Sequence, residues 1–127
     1  MARVDDASIA DAEPLWRRIL RAWVCADQLG GSRPMSIAFR DGRSGEVSVH
    51  RGNMTAPQAV LAGHPGDSIA SVLARECRDV GYVVASDPTP SDPSHALLCC
   101  PPMSHSEKKK AERKLAEAAH WVVPPSP

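Results

Sequence analysis

A single small α+β domain is predicted, with an antiparallel or mixed sheet of about four to five strands packed by an N-terminal and a C-terminal helix. Three observations carry this. Apolar residues recur with helical spacing near both ends of the chain, they alternate with period two between those ends, and proline and glycine clusters separate the segments. Residues 1–10 read as a flexible acidic lead-in, 11–123 as the domain, and 124–127 as a proline-rich tail.

In DAEPLWRRILRAWV, Leu15, Trp16, Ile19, Leu20 and Trp23 fall on one stripe of an amphipathic helix. Asp11 would be its N-cap and Pro14 would sit in its first turn, while Arg17, Arg18 and Arg21 fall off the stripe. MSIAFRDGRSGEVSVHRG reads as a hairpin. Met35, Ile37 and Phe39 alternate with Ser36, Ala38 and Arg40, and Val47 and Val49 alternate with Ser48 and His50, around the turn DGRSG. Thr55 would cap a short helix in APQAVLAG, stopped by Gly63. A strand near Ile69, a helical turn over 75–79 with Gly81 as its exit, and a strand over 82–85 follow. DPTPSDPS is a proline-stiffened loop, and the apolar HALLCC suits a central strand covered on both sides. Ser104-x-x-Glu107 is a capping box opening the last helix. Its stripe is Ala111, Leu115, Ala118 and Val122, and VVPPSP stops it by Val123. Lys108 with Glu112, and Arg113 with Glu117, have the spacing of helical ion pairs.

Composition bounds the function. Lysine plus arginine and aspartate plus glutamate both number 15, so no global charge favours a nucleic-acid or membrane partner. No apolar run is long enough for a membrane span, and MARVDDASIADAEP has no signal-peptide core, so the expected location is the cytoplasm. In that reducing setting the four cysteines are expected as free thiols. Lys108, Lys109 and Lys110 form a local basic patch whose simplest reading is a solvated helix face, with nucleic-acid or anionic-lipid contact as the alternative.

The segments LWRRI, RPMSIAFRD followed by VSV, QAVLAGHPG, DPTPSDPSHALL and WVVPP span Leu15 to Pro125. In layout they resemble an uncharacterised family of small bacterial proteins from actinobacteria and cyanobacteria, with no established activity. The resemblance implies a bacterial, cytoplasmic origin. Met35, where the family usually has serine, and the Cys99-Cys100 pair, where it usually has small residues, are departures.

Chemistry has few candidate places. His95, Cys99, Cys100 and His105 invite a metal reading, but His95 and Cys99 on one strand face stand roughly 13 Å apart. Cys100 and His105 make only two ligands, so no metal is expected and the thiols read as the buried end of a strand. As a nucleophile, Cys99 or Cys100 precedes a helix and lies near His105, yet no local catalytic signature surrounds it. No phosphate loop is visible, and no cofactor is expected. The polar hairpin face is richer. Ser36, Arg40, Ser48 and His50 would share it, His95 would join from a neighbouring strand, and Arg17 and Arg18 would lie on the preceding helix. His64 in GHPG reads as a turn residue and His120 as part of the last helix's flank.

The favoured function is a non-enzymatic module that binds a protein partner, within a bacterial defence, toxin–antitoxin or other conflict locus. Tryptophans and arginines suited to interface hot spots add to it. The alternative is a small metal-independent enzyme acting on RNA or a nucleotide, with Arg40, His50 and His95 as catalytic residues.

Overall fold

The computed structural model describes residues 3–42 and 45–126. Arg43 and Ser44 of the expected turn, Met1 and Ala2 of the lead-in and Pro127 of the tail lie outside them. The strands are β1 (Pro14–Ile19), β2 (Val24–Ala26), β3 (Ser32–Pro34), β4 (Glu46–Arg51), β5 (Ser68–Leu73), β6 (Val83–Ser86), β7 (His95–Cys99) and β8 (His120–Val123). The helices are α1 (Pro57–Val60), α2 (Ala74–Asp79) and α3 (His105–Ala118), with 3-10 turns at Arg21–Trp23, Ser36–Phe39 and Gly52–Met54. Six strands form one antiparallel sheet in the order β6-β7-β4-β1-β5-β8, and β2 and β3 form a separate hairpin.

The expected N-terminal helix is instead the interior strand β1. It pairs with β5 along its whole length, from Pro14↔Leu73 to Ile19↔Ser68. With β4 it pairs only at Leu15↔Arg51 and Trp16↔His50 and then diverges. Leu15 and Ile19 are fully buried on the face that α3 covers. Trp16 faces the other way, against a backbone that comes close enough to exclude any side chain at position 52. A Cβ on Gly52 would lie 2.5 Å from Trp16 Nε1.

The first expected hairpin strand is also absent. Ser36–Phe39 is a 3-10 turn that buries Ala38 and Phe39 under α3, and Met35 is exposed. The second strand, β4, is present, with Val47 and Val49 buried and Ser48 exposed. The segment from Ile69 to Ala85 follows the expected strand, helix, strand order, with Gly81 at φ +95° as the left-handed exit from α2. α1 is capped at Ala56 in place of Thr55.

α3 begins as the capping box requires. The Glu107 N–H donates to Ser104 Oγ at 3.2 Å, and the Ser104 N–H donates to Glu107 Oε1 at 3.1 Å. Ala111, Leu115 and Ala116 are buried against the sheet. The helix stops at Ala118, and Val122, expected on its stripe, lies on edge strand β8 paired to β5. Trp121, Val122 and Val123 favour the pleated surface, and Trp121 Nε1–H donates to the Ser32 carbonyl at 3.0 Å, tying β8 to the small hairpin. Lys108 turns to Asp41 Oδ2 at 3.0 Å, and Arg113 faces Glu117 at 4.0 Å.

Residues 3–10 lie along the outer side of β6. The Asp6 N–H donates to the Val84 carbonyl at 2.8 Å, the Val84 N–H donates to Asp5 Oδ1 at 3.0 Å, and Ile9 is fully buried. This covers an edge that would otherwise present unpaired backbone groups.

Candidate functional site

The register of β4 against β7 makes His50 and His95 direct cross-strand partners. Because Val47 and Val49 point into the core, His50 points to the opposite face, where His95 stands with its ring centroid 6.0 Å away and edge-on. Each imidazole is held by a carboxylate from the proline-stiffened loop before β7. His50 Nδ1 lies 2.9 Å from Asp92 Oδ2, and His95 Nδ1 lies 3.0 Å from Asp87 Oδ2.

The loop places these carboxylates by its own hydrogen bonds. Asp92 Oδ1 accepts from the Ser94 hydroxyl at 2.6 Å and from the Ser94 N–H at 3.1 Å. The Asp87 N–H donates to the His95 carbonyl at 2.9 Å. With a carboxylate on Nδ1, the neutral ring carries its proton there and offers the Nε2 lone pair outward. Both side chains keep 21% exposure, enough for a ligand to reach them. Burial pulls the His50 pKa below the ordinary imidazole value, opposed by Asp92 and helped by His95. Burial alone would raise Asp92, but the Ser94 hydroxyl and His50 outweigh it and hold the carboxyl below its usual range.

Arg17 fills the gap where β1 and β4 diverge. Its Nε–H donates to the Ala38 carbonyl at 2.9 Å, and an NH1 proton goes to the Ser48 carbonyl, also at 2.9 Å. Its guanidinium carbon lies 5.3 Å from the centroid of the Trp23 ring. Burial, with a smaller contribution from Arg18, lowers the Arg17 pKa to about 10, which leaves it cationic at neutral pH. Arg18 is oriented by Asp67 Oδ2 at 2.6 Å. Together Arg17, Arg18, Ser48, His50, His64 and His95 line a cleft of about 300 Å³, roofed by Ala59, Val60 and Ala62 of α1 and the turn after it. A smaller depression of about 120 Å³, bordered by Thr55, Ser91 and Asp92, shares His50, Ala59 and Val60 with it.

Of the expected constellation, His50, His95 and Ser48 meet in this cleft, and Arg17 and Arg18 join them from a strand in place of a helix. Arg40 does not line it. The 3-10 turn directs Arg40 toward α3, where its Nε lies 3.5 Å from Glu112 Oε1 and it borders a separate depression with Asp41, His105, Lys108 and Lys109. Ser36 is carried away by the same turn. His64, expected only as a turn residue, lines the cleft, and His120 is exposed on β8. Asp87 and Asp92 were missed, although an aspartate three residues before His95, in a loop of turn formers, is the signal that points to Asp92.

The cysteines form no comparable site. All four are unpaired, and burial raises the thiol pKa of Cys99 and of Cys100 above the ordinary value. Cys77 is buried in the core and pushed up to about 12. Among the described residues, no group of three or more His, Cys, Asp or Glu side chains is placed to hold a metal ion, and no helix is long and apolar enough to cross a membrane. No family model, curated protein or solved structure matches the chain.

Two imidazoles that share one wall of a cleft, beside two arginines, can pass protons to and from a bound ester while the cations hold its negative charge.

Proposed function

We propose that the protein is a small enzyme acting on RNA or a nucleotide, with His50 and His95 as the acid–base pair and Arg17 and Arg18 as the phosphate-binding cations. The observation that carries this is the matched anchoring of two cross-strand histidines. Each has Nδ1 on an aspartate, which leaves Nε2 of both rings without a hydrogen-bond partner among the described residues. A solvent-facing polar sheet surface has no need of two such dyads in register under a roof.

A second reading, the partner-binding module, is supported by Leu29. It is 96% exposed at the tip of the β2–β3 hairpin, where a large apolar side chain gains nothing unless it is covered. A paired experiment separates the two. Turnover of RNA and of nucleoside phosphates is assayed with the wild type, His50→Ala and Leu29→Ser. In parallel, binding to the product of the neighbouring gene is measured by co-purification. We expect turnover that falls by about 10²–10⁴-fold in His50→Ala and is unchanged in Leu29→Ser. A stable complex lost in Leu29→Ser, with no turnover by the wild type, would establish the binding reading in its place.

A further inference from the structure

We propose that the substrate is single-stranded RNA, cleaved by attack of its own 2′-hydroxyl on the adjacent phosphodiester. This rests on the acid–base reading of the His50/His95 cleft and names its substrate and products.

The first argument is the missing partner of a nucleophile. Ser48 is the hydroxyl in the cleft. Among the described residues neither imidazole is hydrogen-bonded to it, since His50 Nδ1 faces Asp92 and, at 3.5 Å, Ser94, and His95 Nδ1 faces Asp87. A side-chain nucleophile needs an adjacent base within hydrogen-bond reach. This cleft offers two proton-transfer groups and no activated nucleophile, so the attacking group arrives with the substrate.

The second argument is spacing. Ring centroids 6.0 Å apart let each imidazole reach, over a hydrogen bond of roughly 2.6–3.2 Å, a different oxygen of one phosphate. An in-line displacement needs that, with the entering oxygen on one side and the leaving oxygen on the other. Charge on the equatorial oxygens falls to Arg17 and Arg18, whose guanidinium groups keep donors beyond those spent on Ala38, Ser48 and Asp67.

The third argument is length. The cationic cleft and the smaller depression beside Thr55, Ser91 and Asp92 meet at His50. A ligand with its phosphate at the histidines can extend from the cleft past His50 into the smaller depression, which suits a chain.

The step balances without a co-reactant. The 2′-hydroxyl gives its proton to Nε2 of the neutral His50 ring, and O2′ bonds to phosphorus. The P–O5′ bond breaks, its electron pair leaves on O5′, and that oxygen takes the proton from Nε2 of His95, which enters the step as the imidazolium with its Nδ1–H on Asp87. The products are a 2′,3′-cyclic phosphate and a 5′-hydroxyl, and exchange with water restores the two rings.

The test uses the full chain and four labelled oligonucleotides of one sequence: all-RNA, all-DNA, DNA with a single ribose, and the same with that ribose 2′-O-methylated. Product ends are read by mass spectrometry. We expect cleavage of the RNA and of the single-ribose strand, at the ribose, with cyclic-phosphate ends, and cleavage of the other two slower by at least about 10²-fold. Cleavage of DNA or methylated strands at similar rates, or linear phosphate ends from the outset, would overturn the 2′-hydroxyl route and leave the acid–base reading standing. Turnover of nucleoside phosphates alone would overturn RNA as substrate. No turnover of any phosphate ester would remove both. The histidine roles are read with uridine 3′-(p-nitrophenyl phosphate), whose leaving group needs no acid. His95→Ala should be slowed at least about 10-fold less on this ester than on RNA, and His50→Ala should be slowed equally on both; the reverse pattern would overturn the assignment.

Discussion

His50 shows how much one side chain's position depends on its neighbours. Its strand places it on the polar face, the Asp92 carboxylate at 2.9 Å fixes its ring, and partial burial lowers its pKa. Asp92 raises the His50 pKa against burial, so Asp92→Asn should lower that pKa further, seen as a shift to lower pH in an NMR titration of the His50 ring proton. An unchanged titration would mean that the dyad does not persist in solution. Arg17 poses a structural question of the same kind. It donates to the carbonyl of Ala38 in the 3-10 turn and to that of Ser48 on β4, and Arg17→Met should cost about 1.5–3 kcal/mol in urea denaturation, the range for hydrogen bonds to a charged group. His50 and His95 were legible in the sequence because alternation on a strand declares a side chain's face. Asp87 and Asp92 were not, because a loop has no period from which a direction can be read.

At the scale of the element, β1 was misread for a physical reason. An interior strand that carries Trp16 on the face opposite Leu15 and Ile19 has no clean alternation, so Leu15, Trp16 and Ile19, with Leu20 just after the strand, match a helical stripe as well as they match a strand. Pro14 is equally at home at the start of either element. The 3-10 turn at Ser36–Phe39 failed in the opposite sense. It alternates like a strand, yet its burial goes to the consecutive pair Ala38 and Phe39 under α3. α3 was legible because its signals agree, with a capping box at one end and a core stripe through Leu115, which is 1% exposed. Leu115→Ala should therefore cost about 2–5 kcal/mol, and Ser104→Ala about 1 kcal/mol, by thermal or urea unfolding. Equal losses for the two would mean that the packed face of α3 matters no more than its first turn. The end of α3 was drawn too late because Val122 keeps helical register with Leu115, while the run Trp121–Val123 answers to its β-sheet partner β5.

Across the whole molecule, periodicity names faces but not neighbours. The order β6-β7-β4-β1-β5-β8 places β1 between strands far along the chain, and nothing local encodes that. Folding also moves carboxylates at the N-terminal end and the His50 ring away from their ordinary pKa values, and these shifts make stability depend on pH in two steps. Asp6 is held down to about 2 by the Ser8 hydroxyl and then the Ser86 hydroxyl, from an ordinary 3.8. Asp5 is also lowered, as the Val84 N–H and Arg78 outweigh its burial. Carboxylates lowered on folding stabilise the native state fully above their unfolded value. That contribution is lost as pH falls from 3.8 through the folded value, because the unfolded chain takes up protons first. His50 gives the earlier step. Its folded pKa lies below 6.5, so as pH falls past 6.5 the unfolded ring binds a proton that the native ring refuses, and stability declines until the native ring also titrates. Urea midpoints should thus fall between about pH 7.5 and pH 5, and again between about pH 4 and pH 2. His50→Asn should flatten the first decline and spare the second, and Asp6→Asn should do the reverse. A stability that is level across the first interval in the wild type would show that the lowered His50 contributes nothing to the pH response of the fold.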